Sequence, residues 1–201
     1  MNGFERLVQY YRAEYQPEAA EELDIFRRQP SLPQAIYLAG QAMDDNCRRF
    51  NHQFRLTKEA LNNATAALTA STAAIERCND FEQLITLIED LVGEITRIGE
   101  LYIYDTALRI GAKRGIEPEL VYLHAGTREG AKALGFDGNR KSIHRSELPT
   151  ALQSLRPREI EDLLCIYKED LKRLAQGASL PEIAAAPVCR YGRPRKSRRK
   201  C

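Results

Sequence analysis

Asp105 and Arg109 stand four residues apart in a helix-patterned stretch, so a carboxylate and a guanidinium share one helical face. Tyr102 and Tyr104 lie beside them, which suits a partly buried polar network; the simpler reading is an ion pair that stabilises the helix. Further along, His124-Ala125-Gly126-Thr127-Arg128 gathers an imidazole, a hydroxyl and a guanidinium around a glycine. At the start of a helix such groups favour an anion. Thr127 as an ordinary N-cap accounts for the same residues with no ligand. Asp105, Arg109, His124 and Thr127 are therefore the candidate pocket residues, and an enzyme reading requires Asp105, His124 and Arg128 to meet in one pocket.

Other routes to chemistry find little to work with. There is no Gly-x-Ser-x-Gly elbow, phosphate-binding loop or dinucleotide fingerprint. His52 lies among basic residues and His144 follows a turn, neither at metal-ligand spacing from another His or Cys. Cysteines occur at 47, 78, 165, 189 and 201 with no Cys-x-x-Cys pair, so they read as small apolar filler in a reducing compartment. Glu159, Glu161 and Asp162 read as a solvated helix face. No catalytic residue, metal or cofactor is assigned, and the balance leans away from an enzyme.

Charge is distributed unevenly. Arg190, Arg193, Arg195, Lys196, Arg198, Arg199 and Lys200 follow Val188 with no acid among them, leaving 23 basic and 28 acidic residues before it, a net of −5. Within that tail, Tyr191-Gly192-Arg193-Pro194-Arg195-Lys196 resembles the core of an AT-hook. Proline holds such a core extended, glycine admits it to the groove floor, and arginine seeks the negative potential of a narrow A·T minor groove. The resemblance implies DNA contact by Gly192, Pro194 and the seven basic residues, with phosphate neutralisation making it salt-dependent.

The elements that position these groups read as helices. Phe4, Leu7, Val8, Tyr11 and Tyr15 give a short amphipathic helix; Pro17 opens a second and Ser31 caps a third. Residues 44–56 are polar and mixed, a loop or a frayed helix. A long Ala- and Thr-rich helix is expected over 58–78, with Leu61, Leu68 and Ile75 at heptad spacing. Asp80 and Gln83 form a capping box before the strongest apolar face, which runs from Phe81 to Ile98. A helix over 100–114 closes at Gly115, and Val121-Tyr122-Leu123 is a short strand or a helix end. Thr127 starts a small helix ending at Gly135, and Pro157 opens a longer one through Leu174.

Between two of these helices, Ile95-Thr96-Arg97-Ile98-Gly99-Glu100-Leu101 is a tight glycine-containing turn. With Val121-Tyr122-Leu123-His124 and Arg128 to Gly135-Phe136, it resembles the order of elements in helix-hairpin-helix DNA glycosylases. That resemblance implies a phosphate held by backbone N–H groups near Gly99, with Arg97 in the place of the first hairpin glycine and Arg128 nearby. Leu101 occupies the position of the family's lysine nucleophile and Tyr122 that of its aspartate, so the implied fold is catalytically silent.

The expectation is an all-α protein: a multi-helix orthogonal bundle with a central helix-hairpin-helix and a disordered basic tail. It divides into an N-terminal helical segment (1–57), a main helical domain (58–187) and the tail (188–201). No apolar stretch is long enough to span a bilayer and 1–15 has no signal-peptide centre, so a cytoplasmic protein without a membrane partner is expected. The leading function is non-enzymatic binding of nucleic acid, DNA in the first place. The alternative is a protein-interaction or homodimerisation factor, with the 58–78 helix and its neighbours as the docking surface, motivated by the seam of Leu61, Leu68 and Ile75.

Overall fold

The computed structural model describes residues 2–177. The expected tail, with Arg190, Gly192, Arg193, Pro194, Arg195, Lys196, Arg198, Arg199 and Lys200, lies outside the described residues. Helix dominates: α1 (Gly3–Glu14), α2 (Gln16–Arg27), α3 (Leu32–Gly40), α4 (Lys58–Ala70), α5 (Thr72–Arg77), α6 (Phe81–Val92), α7 (Glu100–Arg114), α8 (Ala125–Ala133), α9 (Pro157–Ile166) and α10 (Lys168–Ala175). Among the described residues, the regular strands are β1 (Val121–Tyr122) and β2 (Ser142–Ile143), antiparallel, with Val121 opposite Ile143. No helix among the described residues is long and apolar enough to cross a membrane.

Two compact units emerge, one of residues 2–19 and 118–177, the other of 20–117; the expected segment 1–57 is thus shared between them. In the first unit, Asn2 caps α1 through a reciprocal box with Glu5, and the helix buries Leu7, Val8 and Tyr11. These join Val121, Leu123, Ile143, Ile160, Leu163, Leu164, Tyr167 and Leu171 in one apolar core. Helix α9 stops at Tyr167 (φ −100°, ψ 21°) and α10 restarts at Lys168, so the helix expected through Leu174 is two pieces.

Helices α8 and α9 meet closely at Gly130. A Cβ there would stand 2.2 Å from the Leu164 carbonyl oxygen, a backbone atom that cannot swing aside. Gly130→Ala should therefore lower stability by about 1–3 kcal/mol through overpacking, against the small gain usual for Gly→Ala in a helix. A urea titration checks the sign; an unchanged or raised midpoint would show that the helices separate at little cost.

In the second unit α3, α4, α6 and α7 pack together. The expected helix over 58–78 breaks at Ser71 (φ −99°, ψ 14°), because the local hydroxyls compete for backbone groups: Thr72 Oγ1 donates to the Thr69 carbonyl at 2.7 Å. Leu61, Leu68 and Ile75 are each fully buried, so the seam that suggested a docking face is spent on this unit's own core. Cys47 sits in a loop at φ 59° and is disulfide-bonded, not the apolar filler expected; Cys78 and Cys165 are not disulfide-bonded.

The apolar run expected to continue to Ile98 ends as helix at Val92. The chain then turns so that the Ile98 N–H donates to the Ile95 carbonyl at 2.9 Å and Ile98 tucks inward at 9% exposure. The turn that joins α6 to α7 is therefore 93–99, longer than the sequence implied.

Candidate functional site

Helix α7 organises the second unit's polar groups from its first residue onward. Gly99, its N-cap, is extended (φ −132°, ψ 177°) and has no side chain to cap the first turn. A Cβ built on Gly99 meets nothing within 4 Å, so the space in front of the helix is open. Arg97 is exposed and holds φ 76°, a left-handed conformation that costs about 1–2 kcal/mol for a residue with a Cβ. Buried Ile98 anchors the turn between them. Arg97, Gly99 and α7's N-terminal dipole are thus brought together, with exposed Glu94 and Glu100 as opposing charges.

Two turns on, Asp105 and Arg109 face loop 42–57 more than each other. Their own contact is 3.8 Å, the loosest in the network. Arg109, 1% exposed, donates through Nε (3.0 Å) and Nη2 (2.8 Å) to Glu22 Oε1 on α2, and through Nη1 to Gln53 Oε1 at 2.9 Å. Its guanidinium lies 4.0 Å from the Phe50 ring centroid and 5.8 Å from that of Phe26. Asp105 Oδ2 meets His52 Nε2 and accepts from Gln53 Nε2, both at 2.6 Å. Tyr102, one turn earlier, donates to the Gly40 carbonyl at 2.7 Å, and burial pushes its phenol up to about 12. The arrangement is a paired network with a partly open edge at His52 and Glu22.

His124 and Thr127 belong to the first unit and to a different network. His124, not Thr127, is the N-cap of α8; Thr127 lies inside the first turn, fully buried. Thr127 Oγ1 donates to Glu161 Oε1 at 2.8 Å, His124 Nε2 meets the same oxygen, and the two smaller groups are 3.0 Å apart. Arg128 is half-buried on the next position of α8, its backbone N–H donating to the His124 carbonyl at 2.8 Å. Asp105 with Arg109, and His124 with Thr127, are therefore two constellations in two units.

The acids of α9 do not form the solvated face expected of them. Glu159 and Glu161 are 3% and 5% exposed. Burial works against a charged Glu159, yet hydrogen bonds from the Arg156 side chain and backbone and from Gln16 hold its carboxyl below the usual range. Asp162 accepts from the Tyr11 hydroxyl at 2.9 Å, and burial with that carboxylate drives the phenol's pKa upward. The signal was in the spacing: Glu161 stands three residues before Leu164, on the apolar side of α9. His52 and Gln53 gave no such signal, since their positions depend on where a loop comes to rest.

Among the described residues, no group of three or more His, Cys, Asp or Glu is arranged to hold a metal ion. Comparison with protein-family models, curated proteins and solved structures found no match to this chain.

Proposed function

We propose that the chain binds nucleic acid, DNA in the first place, through phosphate contacts at the head of α7 supplemented by the basic residues that follow Val188. One observation carries the reading: the turn before α7 exposes Arg97 in a glycine-like backbone conformation, buries Ile98 as its anchor, and opens on Gly99 with no capping side chain. Helix N-termini of this kind favour anions, since their N–H groups and dipole point outward. The resemblance of the 95–101 segment to a helix-hairpin-helix supports the same reading, as does the Gly192-Arg193-Pro194 core of an AT-hook-like tail. Backbone contacts of this sort position a duplex without reading its sequence. For the rival docking reading, the seam residues Leu61, Leu68 and Ile75 are themselves buried, which leaves it the exposed positions of the 58–78 segment and its neighbours.

The test is a pair of substitutions with opposite sign. Gly99→Asp places a carboxylate in open space, at a backbone conformation and cap position that aspartate favours. Thermal stability should hold or rise, while affinity for an A·T-rich duplex falls about tenfold, or ~1.4 kcal/mol. Glu100→Gln removes an acid from the first turn and should raise affinity by a few-fold. Fluorescence anisotropy on labelled duplexes at low salt reads both. Equal affinity of the full-length chain and both variants would remove α7 from the interface.

A further inference from the structure

Loop 42–57 carries an unusual exposed feature on a well-pinned base. Phe54 is 64% exposed, one of two large hydrophobic side chains so displayed among the described residues. Arg55, the next residue, is also exposed and holds its guanidinium 5.8 Å from the Phe54 ring centroid. A lone exposed phenylalanine is ordinary on a mobile loop. Here the flanking residues are locked in place.

The pins lie on both sides. Gln53, 2% exposed, donates to Asp105 and accepts from Arg109, so it is bonded at both ends of its amide to α7. The Phe54 N–H donates to the Asn51 carbonyl at 3.3 Å, and Arg49 Nη1 reaches past it to the Leu56 carbonyl at 2.9 Å. Phe50 packs beneath on the Arg109 guanidinium at 4.0 Å, and His52 lies nearly parallel to the Phe50 ring. At the loop's start, buried Asp44 accepts from the backbone N–H groups of Asn46 and Arg48, and exposed Asp45 accepts from the Asn46 side chain, while the same loop carries Arg48, Arg49 and Arg55. An aromatic face is thus presented to solvent with a guanidinium above it and a net basic sequence around it.

We propose that Phe54 and Arg55 form a stacking platform for an unpaired nucleobase, so that this unit takes a single-stranded nucleic-acid segment as well as duplex phosphates. The inference rests on the nucleic-acid reading above and extends it to a substrate class. Every base offers a π-face to an aromatic ring, and an arginine plane adds to the stack without selecting sequence. Both the turn at Gly99 and this loop are mounted on α7 within one unit, the first at its N-terminus and the second through Asp105 and Arg109.

The chain contains no tryptophan, so Phe54→Trp introduces a single reporter. Full-length F54W is titrated with oligo(dT) of a dozen nucleotides and with an A·T duplex, and F54A and R55A are compared by anisotropy on the same oligonucleotides. Saturable quenching of the indole by oligo(dT), with affinity for that strand reduced at least fivefold in F54A and more modestly in R55A, supports the platform. Duplex binding that persists without quenching overturns the platform and leaves the α7 interface standing. Binding of neither form overturns both. An emission shift that follows protein concentration alone, without oligonucleotide, identifies Phe54 as a self-association contact and overturns the platform.

Discussion

Arg109→Ala should lower folding stability by about 3–5 kcal/mol, the loss usual when one partner of a buried ion pair is removed. The guanidinium, almost completely buried, answers Glu22, Gln53 and Asp105 at once and fills the space against Phe50 and Phe26. Glu22 and Asp105 are 19% and 14% exposed and regain some water after its removal, but the Gln53 carbonyl, held inside, does not. Arg109→Lys retains charge and stem yet cannot reproduce the forked contact, so it should fall between wild type and alanine. Denaturant unfolding followed by circular dichroism measures both, and a loss under about 1 kcal/mol for alanine would mean the network is dispensable. The same variants bear on the loop: Gln53 loses a donor, so amide exchange over 49–56 should accelerate before global unfolding.

Glu161→Ala should cost a comparable 3–5 kcal/mol in the first unit, because the one carboxylate oxygen serves both His124 and Thr127 in a site with almost no water. Removing it takes the charged acceptor from a buried imidazole and a buried hydroxyl and leaves the two, 3.0 Å apart, to pair with each other. Glu161→Gln keeps an oxygen of similar placement and should cost much less, which separates the contact from the volume. Thr127→Val, nearly isosteric, should lose about 1–3 kcal/mol by stranding part of the same acceptor. Thermal melts of the full chain rank the three; similar midpoints for alanine and glutamine would show that packing, not hydrogen bonding, holds α8 to α9.

Helix class and most helix starts were legible in the residues. Ser31 accepts from the Gln34 N–H as expected, and Asp80 from that of Gln83, although the reciprocal arm of Gln83 reaches the Asn79 N–H instead of Asp80. Helix ends were read less well. Periodicity alone carried the α6 run to Ile98, since an apolar residue buried by a turn occupies the same position in the pattern as one buried by a helix. Ser71 and Tyr167 interrupt helices for which composition offered only Thr and Ser clusters or nothing.

The candidate site divides the same way. Sequence by itself determined which side chains could carry charge or donate hydrogen bonds, that Asp105 and Arg109 share a helical face, and that basic residues gather after Val188. Those are local properties of residue type and of a 3.6-residue period. Tertiary structure alone decided that Arg109 answers Glu22, 87 residues away, before its neighbour Asp105, and that Glu161 belongs with His124 and Thr127. A long polar side chain is steered by whatever acceptor the fold leaves it once water is excluded, and that acceptor is set by packing between elements distant in the chain.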